Sequence, residues 1–236
     1  MSGVLPPRPA VGAPRTIRSF VRRGGRITPA QQRALAKLWP AYGLDFDGQP
    51  FELGRVFGRH ALQTLEIGFG DGESLVALAA ARPERDFIGI EVHTPGIGHC
   101  LLAAEAADLK NLRIVKHDAV EVLGHGIAPG ALDEVLIYFP DPWPKKRHHK
   151  RRLLQPAFVE LLATRLAPDA RLRLATDWEP YAEQMLEVLG ASRAFASEAR
   201  DGRYVARPAE RPLTKFERRG TRLGHVVRDL EFRRRG

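Results

Sequence analysis

Residues Glu66-Ile67-Gly68-Phe69-Gly70-Asp71-Gly72 combine backbone freedom with negative charge. Three alternate glycines let the chain turn sharply and approach a ligand without Cβ clashes. Glu91 lies 19 residues beyond Gly72, at the end of an apolar run, where a carboxylate can accept both ribose hydroxyls of a nucleoside. Asp118 ends the next run. In isolation the loop reads equally well as a plain strand-to-helix turn; the loop and the two acids together point to a nucleoside site. A dinucleotide would set its pyrophosphate on the helix N-terminus, usually with G-x-G-x-x-G. Here the spacing is G-x-G-x-G, and Asp71 and Glu73 would repel phosphate. A cationic nucleoside without phosphate fits better. S-adenosylmethionine, with its sulfonium and ammonium, is therefore favoured over NAD as the cofactor, near Glu66, Gly68, Gly70, Glu91 and Asp118.

A second group follows at Tyr138-Phe139-Pro140-Asp141-Pro142-Trp143-Pro144. Three prolines in five residues fix this turn and with it Asp141. Alone, the turn reads as a rigid surface bend whose Asp caps the next helix. Residues 145–152 then read KKRHHKRR, six fixed cations in eight positions. A rigid carboxylate beside a methyl donor, followed by cations, suits methylation of a base in a polyanion, with the cations holding phosphates. Trp143 is placed to stack on a base or to pack, the commoner fate of a tryptophan. Asp177, after Ala175-Thr176, adds a carboxylate at the end of a further run.

The elements that must position these groups show in the pattern. Short apolar runs at 64–68, 87–92, 112–117, 135–139 and 172–176 alternate with helix-like stretches at 73–81, 97–108, 119–123 and 153–166. Such alternation predicts a parallel sheet with crossover helices. A helix is expected over 30–39, stopped by Pro40, and another over 177–189. Residues 203–232 read as a mixed, strand-containing end. Residues 1–15 are expected to be a disordered tail and 16–44 a basic arm and helix. The α/β domain is then expected over 45–236.

The chain has 236 residues and a net charge of +9, a balance that favours a polyanionic partner. The charge is clustered. No acid precedes Asp45, while eight Lys/Arg do, and from Arg203 onward eleven Lys/Arg face four acids. The Arg-rich start also has the look of a transit peptide, a competing reading. Cys100 is the single cysteine, so no internal disulfide forms and a cysteine-based zinc site is disfavoured. No apolar run approaches the ~20 residues needed to cross a bilayer. A cytoplasmic setting, no metal and no membrane partner are expected. His148 and His149 read as extensions of the basic patch.

Taken together, these segments resemble the bacterial, single-chain tRNA (guanine-N7-)-methyltransferases, over the chain from about Arg18 onward. The likeness rests on SFVRRGGR, LEIGFGDGESL, GIEVHTPGIG, HDAVEVL, YFPDPWPKKRHHKRR, ATDWEPYAEQML and RPLTKFERRGTRLGH. It implies an α/β, Rossmann-like class I methyltransferase fold, a mostly parallel seven-stranded sheet with helices on both faces. It implies that Glu66, Glu91, Asp118 and Asp141 surround S-adenosylmethionine and that Asp141 is catalytic. It gives Lys145, Asp177, Thr214, Lys215, Phe216 and Glu217 to the substrate. It gives Arg147, His148, His149, Lys150, Arg151 and Arg152 to tRNA, with a variable-loop guanosine as target and no obligatory protein partner. Pro144 departs from the family's histidine. Two other readings stand beside it: an amino-methyltransferase of adenine or cytosine, which would want a second proline between acid and aromatic, and a non-catalytic RNA-binding protein on the same fold.

Overall fold

The computed structural model describes residues 19–20 and 26–236, the side chains of residues 215 and 216 excepted. The first elements are α1 (Pro29–Tyr42), β1 (Gly43–Leu44), α2 (Leu53–Phe57), β2 (Leu62–Ile67), α3 (Glu73–Ala81) and β3 (Arg85–Ile90). Then come α4 (Thr94–Ala106), β4 (Leu112–Val115), α5 (Ala119–Glu121), β5 (Leu132–Tyr138), α6 (Pro156–Arg165) and β6 (Leu166–Thr176). The chain ends with α7 (Glu179–Ala191), β7 (Phe195–Ser197), α8 (Lys215–Arg222) and β8 (Arg228–Arg234).

The strands form one sheet in the order β1-β4-β3-β2-β5-β6-β8-β7. Neighbours from β1 to β6 are parallel, and β8 lies antiparallel between β6 and β7. The order reverses beside β2: the chain winds outward through β3 and β4, then returns to build β5 and β6 on the other side. The crevice at such a switch point, outside the carboxyl ends of the strands, is where open α/β sheets bind ligands. Here it collects the segments after β2, β3, β5 and β6, which are the acid-bearing turns of the sequence.

Alternation along each strand splits the core in two. Leu65, Ile67, Ile88, Ile90, Val135 and Ile137 face one layer with Phe158, Leu162, Tyr181 and Met185 of α6 and α7. Phe87, Ile114, Leu136 and Tyr138 face the other, with Leu75, Leu78, Ile97 and Leu101 of α3 and α4. A strand buried on both faces reads as a continuous apolar run, the signal that made these strands legible.

Two expectations change. The sheet has eight strands, because Gly43 and Leu44 pair with Ile114 and Val115 at the edge; two residues are too few to carry a periodic signal. Pro40 does not stop α1, which runs on to Tyr42. A proline two residues from the end forfeits few helical bonds, and the Gly43 N–H still donates to Trp39 O. Residues 203–232 are the mixed, strand-containing end expected, with α8 before the last strand. α1 also packs on α4: Ala34, Leu38 and Tyr42 join its core layer, and the Tyr42 hydroxyl donates to Ala104 O at 3.3 Å. A capping box at Thr28 and Gln31 starts it. Residues 1–15, expected to be disordered, lie outside the described residues. Among the described residues no helix is long and apolar enough to cross a membrane.

Candidate active site

The loop after β2 is built by its glycines. Gly68, Gly70 and Gly72 all have positive φ, at 72°, 59° and 80°, a region that costs other residues dearly. At Gly72 a Cβ would also stand 2.4 Å from Cys100 Sγ. The loop is tied to β3 and the turn after it. The Gly68 N–H donates to Ile90 O at 2.8 Å, and the Gly70 N–H donates to Glu91 Oε2 at 2.8 Å.

Glu91 therefore does more than await a ligand. Its Oε1 also accepts from the Val92 and His93 N–H groups, at 2.6 and 2.9 Å. A carboxylate offers about four acceptor sites, so three backbone donors leave Glu91 room for one hydroxyl rather than two. Glu66 is the reverse case. It is 2% exposed, and its Oε2 has no hydrogen-bond partner among the described residues. Burial pushes its carboxyl up to about 8, with the Ser74 hydroxyl opposing and the Glu91 charge adding to the rise. A buried, unsatisfied acceptor facing a cleft is costly unless a donor or cation fills it.

That cleft has a volume of about 400 Å³. Of the expected residues, Glu66, Gly68, Gly70, Glu91, Asp141 and Thr214 line it, as do Asp71 and Glu73. Ser19, Phe20, Ser74, His93, His117, Tyr138 and Phe139 line it too; all lie within the quoted motifs, but none was singled out as a site residue. Asp118 sits between two lining residues, but its own carboxylate caps α5, accepting from the Val120 N–H at 3.0 Å.

Asp141 stands in a turn with left-handed backbone on both sides. Phe139 and Trp143 have φ of 52° and 46°, and only Asp108 and Asp169 share this among the other described non-glycine residues. Bulky residues there hold roughly 1–3 kcal/mol of strain each, a mark of functional sites. Phe139 N–H donates to Ala175 O at 2.7 Å, which anchors the turn to β6. Asp141 caps nothing: the short 3-10 helix Lys146–Arg151 has no side-chain cap. Trp143 packs. Its indole N–H donates to Ser19 O at 3.2 Å, and Arg151 covers its ring at 5.1 Å from the centroid.

The basic turn divides. Lys145, Arg147 and Lys150 are exposed, and His148, His149 and Arg151 are half-buried. Arg152, expected in the RNA set, is buried. It is 2% exposed, donates to Pro142 O at 2.8 Å and Gln184 Oε1 at 2.7 Å, and lies over Tyr181. Its cation ties the turn to α7.

Glu217, expected in the substrate set, is likewise bonded within the chain. It is buried in a fork with Arg211, Nη1–Oε2 2.7 Å and Nη2–Oε1 2.9 Å, and Arg207 joins at 3.0 Å. Arg211 Nη2 also donates to Asp229 Oδ2 at 3.1 Å, and its guanidinium lies over Tyr138 and Phe139. Glu217 thus seats α8 on the strand that carries Asp141, which leaves Thr214 lining the cleft. Asp177, outside the cleft lining, pairs with His225 at 3.0 Å. Lys215 and Phe216 fall among side chains that are not described.

Sheet order, glycine loop and acidic cleft define a class I, Rossmann-like methyltransferase. The crystal structure of the 16S rRNA methyltransferase KamB shares this fold, with a TM-score of 0.57 and 16% identity over 78% of this chain and 93% of that one. A family model described as "Putative methyltransferase" matches residues 60–230. The tRNA (guanine-N(7)-)-methyltransferase of Halorhodospira halophila is 56% identical over 223 residues, 94% of this chain and 96% of that protein. The protein of the same name from Leifsonia xyli subsp. xyli is 56% identical over 216 residues, 92% and 95% of the two chains. The chain belongs to the tRNA (guanine-N7-)-methyltransferase family.

Proposed function

We propose that this protein transfers the methyl group of S-adenosylmethionine to N7 of a guanine in tRNA, with a variable-loop guanosine as target. The observation that carries this reading is the 56% identity over 94% of the chain to a tRNA (guanine-N(7)-)-methyltransferase. The cleft fits the donor. The unsatisfied Glu66 Oε2 suits a cationic group, Glu91 keeps one acceptor for a ribose hydroxyl, and Asp71 and Glu73 disfavour phosphate. When bound, S-adenosylmethionine supplies an electrophilic methyl group.

The residues of this chain then have positioning and electrostatics to perform. Guanine N7 is an acceptor with a free lone pair, so no general base is required. Asp141 is held rigid at the cleft by its strained turn. There its charge stabilises the positive charge that develops on the purine, and a preorganised group needs no reorganisation to do so. Asp141 or Asp177 accepts from the guanine N1–H and amino group, a donor edge adenine lacks. Asp118, with its remaining oxygen, and Thr214 complete the cofactor and substrate walls. Lys145, Arg147, His148, His149, Lys150 and Arg151 hold phosphates.

The test is incubation with S-adenosylmethionine and unmodified bulk tRNA, then nucleoside mass spectrometry. A 7-methylguanosine peak, lost with Asp141→Ala, is expected. Methyl incorporation into adenosine or cytidine, or none with both ligands bound, overturns the reading.

A further inference from the structure

The segment from Arg211 to Arg228 carries one acid, Glu217, and Asp229 follows it directly. Both acids turn inward onto Arg211. What remains outside on α8 is cationic. Arg218, Arg219 and Arg222 are exposed. Arg218 is 3.7 Å from Glu73, while no acid pairs with Arg219 or Arg222 among the described residues. Beside them lie Leu213, Leu223 and Val226, exposed by 51%, 65% and 64%.

The placement of α8 is as telling as its charge. Thr214, its N-cap, lines the cleft. Arg218 reaches Glu73 at the glycine-loop side. At the other end His225 meets Asp177 at the end of β6, and a Cβ on Gly220 would come within 2.8 Å of Asp177 Oδ2. The helix therefore spans the carboxyl ends of the central strands, while Phe139, Pro140 and Asp141 line the other side of the same cleft and the basic turn follows them outside it.

We infer that the outer face of α8, through Arg219 and Arg222 with Leu223 and Val226 beside them, is a second RNA-contacting surface. The target nucleotide then enters between two basic walls. This rests on the proposed tRNA substrate. A solvated cationic helix is the ordinary alternative, but two features separate this one from it. Every acid of the segment is withdrawn into the clamp beneath, so the exposed charge is of one sign. The clamp also fixes the helix before any ligand arrives, so ordering it costs little on binding. Phosphates would meet the guanidinium groups, and the exposed aliphatic side chains would pack against sugar and base edges, which bare solvent does not favour.

The experiment is tRNA affinity across a salt series for the full chain and for Arg219→Gln/Arg222→Gln. The expected result is weaker binding and a shallower slope of log K against log salt, by about 0.7 to 0.9 for each phosphate no longer neutralised. Arg193→Gln, an exposed arginine just beyond α7 at the opposite end of the sheet, serves as control and should leave the slope unchanged. An unchanged slope in the double variant overturns the surface, as does an equal fall in the control, which would mean net charge alone. A wild-type chain whose tRNA binding ignores salt overturns the proposed substrate itself. Circular dichroism checks that the double variant is folded; should it not be, Arg219→Lys/Arg222→Lys against Arg219→Gln alone reads the same slope.

Discussion

At the scale of single residues, Asp141 and Glu66 do opposite things with a carboxylate. Asp141 is exposed at the cleft in a turn strained on both sides. Replacing it with Asn keeps the shape and removes the charge. Turnover of Asp141→Asn should fall ~10²-fold or more, with donor affinity changing less, as single-turnover kinetics and calorimetry would show. Glu66 is buried and pushed up to about 8. Between its ordinary 4.5 and about 8 the folded chain keeps a proton that the unfolded chain has released. Its contribution is therefore favourable below that window and is lost as pH rises through it. The unfolding midpoint of the ligand-free chain should fall across this window, and fall less in Glu66→Gln. A cation bound beside Glu66 favours the ionised form, so donor affinity should rise with pH toward about 8 in the wild type. A titration equally steep in Glu66→Gln would remove Glu66 from that role.

At the scale of elements, two buried arginines hold the substrate side of the cleft. Arg152 bolts the basic turn to α7, and Arg211 joins α8 and β8 to the end of β5. Removing one partner of a buried ion pair leaves a charge uncompensated, at about 3–5 kcal/mol. Arg211→Met should lose that much in urea unfolding, because Asp229 would be stranded and Glu217 would keep only Arg207. Adding Glu217→Gln and Asp229→Asn should recover part of it. A single variant as stable as wild type would mean that the clamp holds nothing.

At the scale of the whole molecule, the +9 charge is sorted rather than spread. Some arginines serve the interior, and others are presented around the cleft. The two sets should answer differently to the same substitution. Neutralising Arg147, Lys150 and Arg151 should weaken tRNA binding and flatten its salt dependence, by about 0.7 to 0.9 in slope per phosphate released. Arg152→Gln should lower the unfolding midpoint and leave the slope alone, because a guanidinium bonded to Pro142 and Gln184 has no phosphate to release. Identical effects from both substitutions would contradict this division.

The sequence by itself determined the parallel α/β sheet, the glycine loop with Glu66 and Glu91, and the Asp141 turn. Each rests on local chemistry: continuous apolar runs, glycines that permit positive φ, and prolines that restrict the backbone. Glu66, Gly68, Gly70, Glu91 and Asp141 were legible as a group because the carboxyl ends of parallel strands must meet at one edge. Only the tertiary structure decided which charged residues face inward. Arg152 looks like Arg151 in the sequence, and Glu217 looks like any acid in a basic segment; burial against α7 and on Arg211 separates them. The same holds for the two-residue strand β1, which exists through its pairing with β4, and for α8 across the cleft. Such features depend on residues far apart in the chain meeting in space, and no local pattern encodes them.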